Sequence, residues 1–273
     1  MKLICVGDNV CDCYIYEKKY YPGGNCVNVA VNAKRNGAEA VSYLGIFGND
    51  EMAAHIKDCL DKEGVDYSKS RVMVGRSGQP GVNIDEHGDR IFVRRYTDTV
   101  QTMAKLHLVQ SDLDEIQKYD LLHTSCYSFL EEELPKLKDL VKVSYDFSLI
   151  ENIEKMLEAA PYINYAFVSA SQTEKEYRRE QAKLLLDRGV ELVCMTRGDQ
   201  ECEVHTRDKI YTREPLKTDI IDTMGAGDSF IAGFLVAYMD GKSIENALLS
   251  AVKSAQGTCQ ISGGFGYPKE LKD

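Results

Sequence analysis

The sequence predicts an α/β protein whose mainly parallel sheet carries a second, smaller β-sheet. Short apolar runs alternate with amphipathic stretches along most of the chain, which is typical of successive βαβ units. The stretch from 71 to 96 instead alternates with period two, which indicates half-buried strands. A length of 273 residues is sufficient for one large α/β domain, and we therefore expect a single domain over 1–273.

The apolar runs and the amphipathic stretches give the order of the main elements. The runs predict parallel strands at residues 3–6, 41–46, 121–125, 141–147, 165–169 and 192–196. The amphipathic stretches predict helices at residues 25–36, 51–63, 111–118, 129–139, 150–159, 173–188, 230–240 and 244–261. Gly37 and Gly64 follow the first two helices directly, and glycine commonly ends a helix.

The period-two region predicts a small antiparallel sheet that projects from the main one. Its alternation falls at 71–74, 81–85 and 90–96, and Glu86-His87-Gly88-Asp89 supplies a hairpin turn. Residues 13–20 also alternate and can join these strands. We expect the segments at about 13–21 and 70–98 to form a lid that excludes water from a site. A solvent-facing β decoration is the alternative.

Composition and charge argue against several classes of protein. The formal net charge of −10 argues against a nucleic-acid partner, which requires clustered lysine and arginine. No apolar run approaches the roughly 20 residues of a membrane-spanning helix, so no membrane partner is expected. Nine scattered cysteines without a secretion signal predict a reducing, cytoplasmic setting, and their spacing does not match a zinc site.

A glycine-rich turn at 222–228, Asp-Thr-Met-Gly-Ala-Gly-Asp, carries the strongest chemical information. An apolar run with helical spacing follows it, so the turn opens a helix whose first N–H groups have no partner within the helix. Such a helix start attracts anions. Asp228 lies in the same turn, and this combination suits phosphoryl transfer to a hydroxyl whose proton Asp228 receives. Close packing and a favourable charge at a helix start are the alternative interpretation.

These features together resemble the PfkB-type, ribokinase-like carbohydrate kinases. The turn at 222–228 is similar to the C-terminal motif of that family, and Gly23-Gly24-Asn25-Cys26-Val27-Asn28-Val29-Ala30 is similar to its N-terminal motif. Gly45-Ile46-Phe47-Gly48-Asn49-Asp50 is similar to the glycine-rich turn after the second strand of the family. The resemblance extends from residue 3 to about residue 262. It implies a three-layer α/β/α sandwich with a mainly parallel central sheet and a small β-sheet lid.

Within that family the chain is most similar to the fructoselysine 6-kinases. The similarity lies in Val6-Gly7-Asp8-Asn9, Tyr21-Pro22, Tyr145-Asp146-Phe147-Ser148, Phe167-Val168-Ser169-Ala170 and the region from Ile221 to Leu235. It implies ATP-dependent phosphorylation of the 6-hydroxyl of an amino acid that carries a fructosyl group. Fructose, ribose, 2-keto-3-deoxygluconate or a nucleoside stays open as the acceptor, and a sugar-binding regulator without catalysis is a further alternative.

The resemblance also implies roles for individual residues. Asp228 is the expected base, and the N–H groups of Gly225, Ala226, Gly227 and Asp228 are expected to stabilise the transferred phosphoryl group. The expected sugar-binding residues are Asp12, Gly24, Asn25 and Asn28. The expected nucleotide-binding residues are Thr196, Arg197, Gly198, Asp222, Thr223, Gly225 and Gly227. Mg²⁺ would bridge the ATP phosphates, with Glu174 as the best protein candidate near it.

Two segments depart from the family pattern. Ser171-Gln172-Thr173-Glu174 keeps the acid of the usual Asn-x-x-Glu but lacks its amide. Gly198-Asp199-Gln200-Glu201 lacks the second glycine of the usual Gly-x-x-Gly, which argues against a tight approach to phosphate there. Arg197 can still supply a positive charge at that point.

The predicted lid adds a candidate for substrate selection. Arg94 or Arg95 is a candidate partner for the carboxylate of an amino-acid adduct, because arginine pairs with carboxylates through two hydrogen bonds. Neighbouring residues of a strand face opposite ways, so at most one of the two points inward. A solvated edge that discourages strand pairing is the alternative role for these charges.

Three further expectations come from the resemblance. The adenine pocket should lie between the turn after Thr196 and the last helix near 250–257. Relatives pair through their lids, which favours a homodimer through the lid. Family members often use a monovalent cation such as K⁺ near the anion site, a point that the sequence leaves open.

A dinucleotide-dependent oxidoreductase is the main rival class. That class needs Gly-x-Gly-x-x-Gly directly after the opening strand. The chain instead has Gly7-Asp8-Asn9-Val10-Cys11-Asp12 at this point. The opening strand therefore argues against the rival.

Overall fold

A nine-stranded sheet forms the centre of the molecule. The structure is a computed structural model that describes residues 1–84, 90–94, 96–149, 153–171 and 173–272. Its strands are β1 (Lys2–Gly7), β2 (Val10–Tyr14), β3 (Lys19–Gly23), β4 (Ala40–Phe47), β5 (Arg71–Val72), β6 (Gly81–Ile84), β7 (Arg90–Arg94), β8 (Leu121–Ser125), β9 (Lys142–Leu149), β10 (Tyr165–Ser169), β11 (Leu192–Thr196), β12 (Cys202–His205), β13 (Ile210–Arg213) and β14 (Lys269–Glu270). Its helices are α1 (Asn25–Arg35), α2 (Glu51–Glu63), α3 (Val100–Met103), α4 (Gln110–Ile116), α5 (Leu134–Leu137), α6 (Ile153–Ala159), α7 (Lys175–Asp187), α8 (Ala226–Met239) and α9 (Ile244–Thr258).

The central sheet runs in the order β13-β12-β11-β10-β9-β8-β1-β4-β5. Neighbouring strands from β11 to β5 pair in parallel, and the two pairs that include β12 are antiparallel. The predicted mainly parallel sheet is therefore confirmed. The carboxyl ends of parallel strands lie along one edge of the sheet, and ligands of open α/β sheets bind outside that edge.

Helices cover both faces of the central sheet. Leu3 and Phe167 face the side of α1, α2, α8 and α9, whereas Ile4 and Val168 face the side of α4 to α7. Because both faces are covered, the inner strands are apolar along most of their length instead of alternating. This arrangement confirms the predicted three-layer α/β/α sandwich.

Helix α8 follows the glycine-rich turn and is buried on nearly all sides. Its residues from 229 to 237 are all buried, which is typical of a helix that packs between other helices and a sheet. It packs against α1 and α9, so its first turn is held at the carboxyl edge of the sheet. None of the helices in the described ranges is long and apolar enough to span a bilayer.

The second sheet has five strands in the order β14-β3-β2-β6-β7, and it differs from the prediction in three ways. Residues 13–20 are not one strand, because a short 3₁₀ helix and a left-handed Lys18 separate β2 from β3. Strands β2 and β6 pair in parallel, so the sheet is not wholly antiparallel. Residues 71–72 pair with β4 in the central sheet. Period-two alternation identifies a strand but does not identify its partner, which explains the last two differences.

Other parts of the prediction were incomplete. The helix predicted at 129–139 is a 3₁₀ turn at Glu131–Glu133 followed by the short α5, and Pro135 lies in the first turn of α5. Strands β12, β13 and β14 were not predicted; β13 and β14 lie at the edges of their sheets and are partly exposed. The predicted hairpin turn at 86–89 lies outside the described residues.

Candidate active site

A cavity of about 480 Å³ lies between the carboxyl edge of the central sheet and the small sheet. Four carboxylates line it, and we call it the aspartate cavity: Asp8 after β1, Asp12 on β2, Asp146 on β9 and Asp228 on α8. Within the described ranges its lining contains no lysine, arginine or histidine. The charged groups of the described lining are therefore all carboxylates.

Asp228 lies in the first turn of α8, and two asparagines of α1 hold its carboxylate. Nδ2 of Asn25 donates to Oδ1 of Asp228 at 2.8 Å, and Nδ2 of Asn28 donates to Oδ2 at 2.7 Å. Residues three apart on a helix share a face, so both amides point toward α8. Nδ2 of Asn25 also donates to Oδ2 of Asp146 at 2.8 Å. The structure thus brings three predicted residues together, and the asparagine donors face the carboxylate of Asp228.

Asp8 and Gly24 fix the start of α1 against the end of β1. The carboxylate of Asp8 accepts the backbone N–H of Asn25 at 2.7 Å and that of Cys26 at 3.2 Å, which satisfies two donors of the helix start. Gly24 has φ 101°, and a Cβ on it would lie 2.9 Å from Cα of Asn9. The glycine is therefore needed for this close approach. Gly24 itself lines the aspartate cavity.

Burial raises the pKa of three of the four carboxyl groups. The pKa of Asp228 is raised to about 7 by burial and by the charges of Asp146 and Asp8, against hydrogen bonds from Asn28 and Asn25. The pKa of Asp12 is raised to about 7 by burial, then by Asp222 and Asp8. Burial also raises the pKa of Asp146 to about 6. A carboxylate whose pKa is near 7 is a better proton acceptor at neutral pH than an ordinary aspartate.

The turn before α8 offers fewer free N–H groups than the sequence predicts. Gly225 has φ 71°, and a Cβ on it would lie 2.6 Å from Cα of Gly264, so this position requires glycine. The N–H of Ala226 donates to the carbonyl of Thr223 at 3.2 Å, so it is not free in this structure, and its role toward a phosphoryl group stays a prediction. Within the described ranges, the N–H groups of Gly227 and Asp228 have no hydrogen-bond acceptor. These two donors remain for an anion.

Asp222 stabilises this turn from within the protein. Its side chain is fully buried. Oδ2 accepts the Tyr14 hydroxyl at 2.6 Å and the Gly263 N–H at 2.8 Å, and Oδ1 accepts the Met224 N–H at 2.7 Å. These contacts occupy the carboxylate within the protein, and the role of Asp222 at the nucleotide stays a prediction. Thr223 is exposed and does not line the aspartate cavity.

Aromatic side chains also line the aspartate cavity: Phe92, Tyr96, Tyr127, Phe129 and Phe167. Tyr127 and Phe129 are 50% and 46% exposed, so they stand at its opening. Phe129 has φ 53°, an unusual backbone conformation for a bulky residue. Such strain often persists at functional sites, where the surrounding structure holds it.

Arg94 lies on β7 beside this aromatic surface but not on the cavity wall. Its guanidinium carbon lies 4.9 Å from the ring centre of Tyr96, and Phe92 and Tyr96 line the cavity in its place. Arg94 is therefore not a lining residue of the cavity, and its contact with the substrate stays a prediction. Arg95 lies outside the described residues.

A second cavity of about 460 Å³ lies at the start of α7. We call it the arginine cavity, and it is lined by Ser171, Thr173, Glu174, Lys175, Arg178, Arg197, Glu201 and Glu203. Nε of Arg178 and Nε of Arg197 are buried and have no hydrogen-bond partner within the described ranges. Unsatisfied buried donors of this kind suit an anionic ligand. Glu174 and Arg197, predicted near the nucleotide, both belong to this cavity.

The remaining predicted nucleotide residues are divided between the two cavities. Thr196 lines the aspartate cavity, and its neighbour Arg197 lines the arginine cavity. Gly198 is exposed with φ 63° and lines neither. The two cavities therefore lie on either side of the end of β11.

Several lining residues were not predicted as site residues, among them Asp8, Tyr127, Phe129 and Asp146. Asp8 follows β1, Tyr127 and Phe129 follow β8, and Asp146 lies near the end of β9. The carboxyl ends of parallel strands share one edge of the sheet. A search for polar and aromatic residues at the ends of the predicted strands could therefore have identified these four residues.

One group of metal-ligand side chains occurs within the described ranges, at His55, Asp58 and Cys59 on α2. Nε2 of His55 lies 2.8 Å from the carbonyl oxygen of Tyr267, and the carboxylate of Asp58 accepts Nζ of Lys62 at 2.7 Å. The group lines neither cavity. It is therefore separate from the candidate active site.

The fold and the site together define a class of sugar kinases. Residues 2–266 match the model of the pfkB family carbohydrate kinases, and the chain belongs to this family. The protein is therefore a sugar kinase, an enzyme that phosphorylates a small sugar-type substrate. This family assignment confirms the resemblance found in the sequence.

Two relatives within the family are similar to this chain over nearly its whole length. The fructosamine kinase FrlD of Bacillus subtilis strain 168 is 46% identical over 275 aligned residues, which cover 100% of this chain and 96% of the relative. The fructoselysine 6-kinase of Escherichia coli K12 is 32% identical and covers 96% of this chain and 99% of the relative.

Solved structures confirm the ribokinase-like fold. The ribokinase of Arabidopsis thaliana complexed with ribose and ATP superposes with a TM-score of 0.81 at 18% identity, covering 96% of this chain and 93% of that one. A putative ribokinase II of E. coli in complex with ATP and Mg²⁺ also has a TM-score of 0.81, at 17% identity and with 97% and 94% coverage. At these identities the similarity concerns the fold.

Proposed function

We propose that this sugar kinase transfers the γ-phosphoryl group of ATP to the 6-hydroxyl of a fructosamine, a sugar–amino acid adduct such as fructoselysine. One observation carries the proposal: the carboxylate of Asp228 lies on the wall of the aspartate cavity, where Asn25 and Asn28 hold it. The free N–H groups of Gly227 and Asp228 belong to the same helix start. A proton acceptor beside anion donors suits phosphoryl transfer to an alcohol.

Asp228 acts as the base in the proposed reaction. The acceptor hydroxyl attacks the γ-phosphorus, a new P–O bond forms, and the bond to the oxygen of the β-phosphate breaks to release ADP. The proton of the hydroxyl moves to the carboxylate of Asp228. Because the transition state is loose, the proton leaves late, and a base whose pKa is about 7 is sufficient. The N–H groups of Gly227 and Asp228 stabilise the charge on the transferred oxygens.

The nucleotide phosphates are assigned to the region from Thr196 to the arginine cavity. The support is the pair of buried Nε atoms of Arg178 and Arg197, which have no partner within the described ranges. Bound Mg²⁺ would neutralise part of the phosphate charge, and Glu174 remains the candidate to face it through water. One structural neighbour, the putative ribokinase II of E. coli, was solved in complex with ATP and Mg²⁺, which supports the same donor for this chain.

The substrate assignment rests on the relatives and on two parts of the aspartate cavity, the carboxylate of Asp12 and the aromatic residues at the opening. The relatives are named as fructosamine and fructoselysine kinases. The carboxylate of Asp12 accepts no hydrogen bond from a described residue, so it can accept sugar hydroxyls. Tyr127 and Phe129 at the opening can pack against the aliphatic part of an attached amino acid.

A substrate panel tests this assignment. ADP release would be measured with fructoselysine, other fructosyl amino acids, fructose, ribose, 2-keto-3-deoxygluconate and adenosine. We expect kcat/KM for fructosyl amino acids to exceed that for fructose by at least about tenfold, since the adduct adds buried apolar contact worth over about 1 kcal/mol. Equal values for fructose and the adducts would reject the adduct, and ADP release that no sugar stimulates would reject the kinase reaction.

A variant identifies the surface that selects the adduct. Phe129→Ala should lower kcat/KM for fructoselysine by about tenfold and leave that for fructose nearly unchanged. Tyr177→Ala is the matched control, because Tyr177 is an exposed aromatic residue on α7 that lines neither cavity. A loss shared equally by both substrates would show that Phe129 supports the fold and not the selection.

We also infer that the small sheet closes over the aspartate cavity and pairs with a second copy of the chain. Strand β7 is an edge strand, and its Ile91 and Val93 are 42% and 50% exposed. An exposed apolar edge strand is a common site of pairing. Light scattering should give the mass of a dimer for the native chain and of a monomer for the Ile91→Lys/Val93→Lys variant.

A further inference from the structure

His123 is a fully buried residue of β8 that the mechanism above does not use. Nε2 of its ring lies 2.9 Å from Oδ1 of Asn25, and Nδ1 lies 3.0 Å from Oγ of Ser144. Ser144 is also fully buried, and it is the direct neighbour of His123 across the β8–β9 pair. A continuous chain of side chains therefore runs from the interior of the sheet to Asn25, which contacts Asp228.

The donors and acceptors in this chain have one consistent direction. An amide oxygen only accepts hydrogen bonds, so Nε2 of His123 must carry the proton that Oδ1 of Asn25 accepts. Burial lowers the pKa of His123 to about 3, so the ring is neutral and Nδ1 is an acceptor. The hydroxyl of Ser144 must then donate to Nδ1. Ser144 thus supports the tautomer of His123 that donates to Asn25.

His123 and the two carboxylates hold the amide of Asn25 in the same orientation. With Oδ1 bound by His123, both hydrogens of Nδ2 point at carboxylates, one at Asp146 and one at Asp228, each at 2.8 Å. A reversed amide would bring Oδ1 against both carboxylate oxygens, which repel it. It would also present Nδ2 to the protonated Nε2 of His123, where it could form no hydrogen bond.

We propose that His123 is a positioning residue that orients the amide of Asn25 and so sets the pH at which Asp228 loses its proton. The proposal rests on the proposed function, in which Asp228 is the base. His123 does not line the aspartate cavity, so its effect would be transmitted through Asn25.

The charges around Asp228 give the direction of the effect. Asp146 on β9 and Asp8 after β1 raise its pKa together with burial, and the hydroxyl of Tyr127 after β8 interacts with the same carboxylate. The amides of Asn28 and Asn25 act in the opposite direction. Loss of the Asn25 donor removes one of two stabilising hydrogen bonds to the ionised form. Asp228 would then keep its proton to a higher pH.

Two substitutions of His123 separate its hydrogen bond from its bulk. His123→Leu fills similar space but cannot donate to Asn25, whereas His123→Gln retains an N–H donor. The pH dependence of kcat/KM would be measured with the best acceptor of the substrate panel. Independently, ¹³C NMR of protein labelled at the aspartate carboxyl carbons would follow the titration of Asp228, whose resonance the Asp228→Asn variant identifies. His55→Leu is the matched control, because His55 is a buried, hydrogen-bonded histidine that lines neither cavity.

We expect His123→Leu to move the acid limb of kcat/KM and the Asp228 titration to higher pH by about 0.5 to 1 unit, the size expected for one lost hydrogen bond. His123→Gln should return both close to the native position, and His55→Leu should leave both unchanged. Ser144→Ala removes the donor to Nδ1 that supports this tautomer of His123, so it should move both in the same direction by a smaller amount. It also provides a second test if His123→Leu does not fold.

The outcomes separate this proposal from the proposed function. If the Asp228 resonance titrates as in the native protein in both His123→Leu and Ser144→Ala, the positioning role is overturned, even when Asp228→Asn still abolishes turnover. If Asp228→Asn retains turnover, the proposed function fails instead. A general loss of stability without a shift in either titration would indicate a purely structural histidine and would also overturn the proposal.

Discussion

The aspartate cavity and the arginine cavity have similar volumes, about 480 and 460 Å³, but they hold their carboxylates in different ways. Asp228 is held by the neutral amides of Asn25 and Asn28, and burial raises its pKa to about 7. Glu203 is also buried, and burial by itself would raise its pKa. Hydrogen bonds and charge from Arg178, with a further contribution from His205, lower that pKa below its ordinary value.

The contrast shows how one fold holds one carboxyl group whose pKa is raised and another whose pKa is lowered. Neutral donors fix the position of a carboxylate without cancelling its charge, so the group remains ready to accept a proton near neutral pH. A guanidinium cancels the charge and leaves the carboxylate as a permanent anion. The described lining of the aspartate cavity lacks such cations. Its carboxylates are therefore suited to proton transfer, and those of the arginine cavity to holding arginines.

The largest effect is expected from replacing Asp228, the proposed base. Asp228→Asn should lower kcat by about a thousandfold, because it removes the carboxylate that shares the start of α8 with the free N–H groups of Gly227 and Asp228, while KM for the sugar changes little. Steady-state ADP release would give both constants, and thermal melting would confirm that the variant folds. A kcat within tenfold of the native value would contradict the role of Asp228.

A large loss of stability is expected from replacing Glu203. Glu203→Gln leaves the buried guanidinium of Arg178 without its anion, which should lower the free energy of unfolding by about 3 kcal/mol at pH 7. The folded-state pKa of Glu203 is depressed, so its contribution exists above the unfolded value of 4.5 and is lost as the pH falls through the folded value. Denaturant unfolding at pH 7 and at acidic pH should therefore show a difference that shrinks with acid. A difference that stays constant would indicate lost packing instead.

A smaller effect is expected on nucleotide affinity. Arg197→Ala removes a guanidinium whose Nε has no partner within the described ranges, and it should raise KM for ATP by about tenfold without changing KM for the sugar. Gln200→Ala is the control, because it removes the loop contact of Arg197 but keeps the charge. Equal effects of the two variants would assign the loss to the loop and not to the guanidinium.

The smallest effect is expected on melting temperature in the aspartate cavity. Asp12 has a folded-state pKa raised from 3.8 to about 7, so its ionisation destabilises the folded state as the pH rises through this range. Asp12→Asn should therefore melt at least about 3 °C above the native protein at pH 8 and close to it at about pH 4. Calorimetry without ligands at the two pH values measures this. A variant that melts lower at pH 8 would mean that Asp12 has a stabilising partner.

Local sequence patterns were sufficient for the layers of the fold and for the position of Asp228. Apolar runs identified the inner strands because these strands are buried on both faces, so their residues are apolar in succession and do not alternate with polar ones. The turn before α8 could be identified because Gly225 must adopt a positive φ and contacts Gly264 closely. Asn25 and Asn28 were named from the family resemblance, and their helical spacing explains why both reach the face of α1 that meets α8.

Features that depend on partners distant in sequence could not be predicted. Residues 71–72 alternate like the other strands of their region, but they pair with β4 in the central sheet. The contact of His123 with Ser144 depends on the register of β8 against β9, and a sequence pattern does not contain that register. The hydrogen bonds to Asp222 likewise come from three separate segments, at Tyr14, Met224 and Gly263. The motif alone therefore could not show that its carboxylate binds groups within the protein.

The hydrogen bond between Tyr14 and Asp222 joins positions 208 residues apart and links the small sheet to the turn that begins α8. Amino-acid changes in β2 can therefore alter turnover without contacting either reactant. Laboratory evolution of this enzyme toward new acceptors is expected to recover such remote positions as well as those on the cavity wall, and mutant libraries restricted to the wall would not sample them.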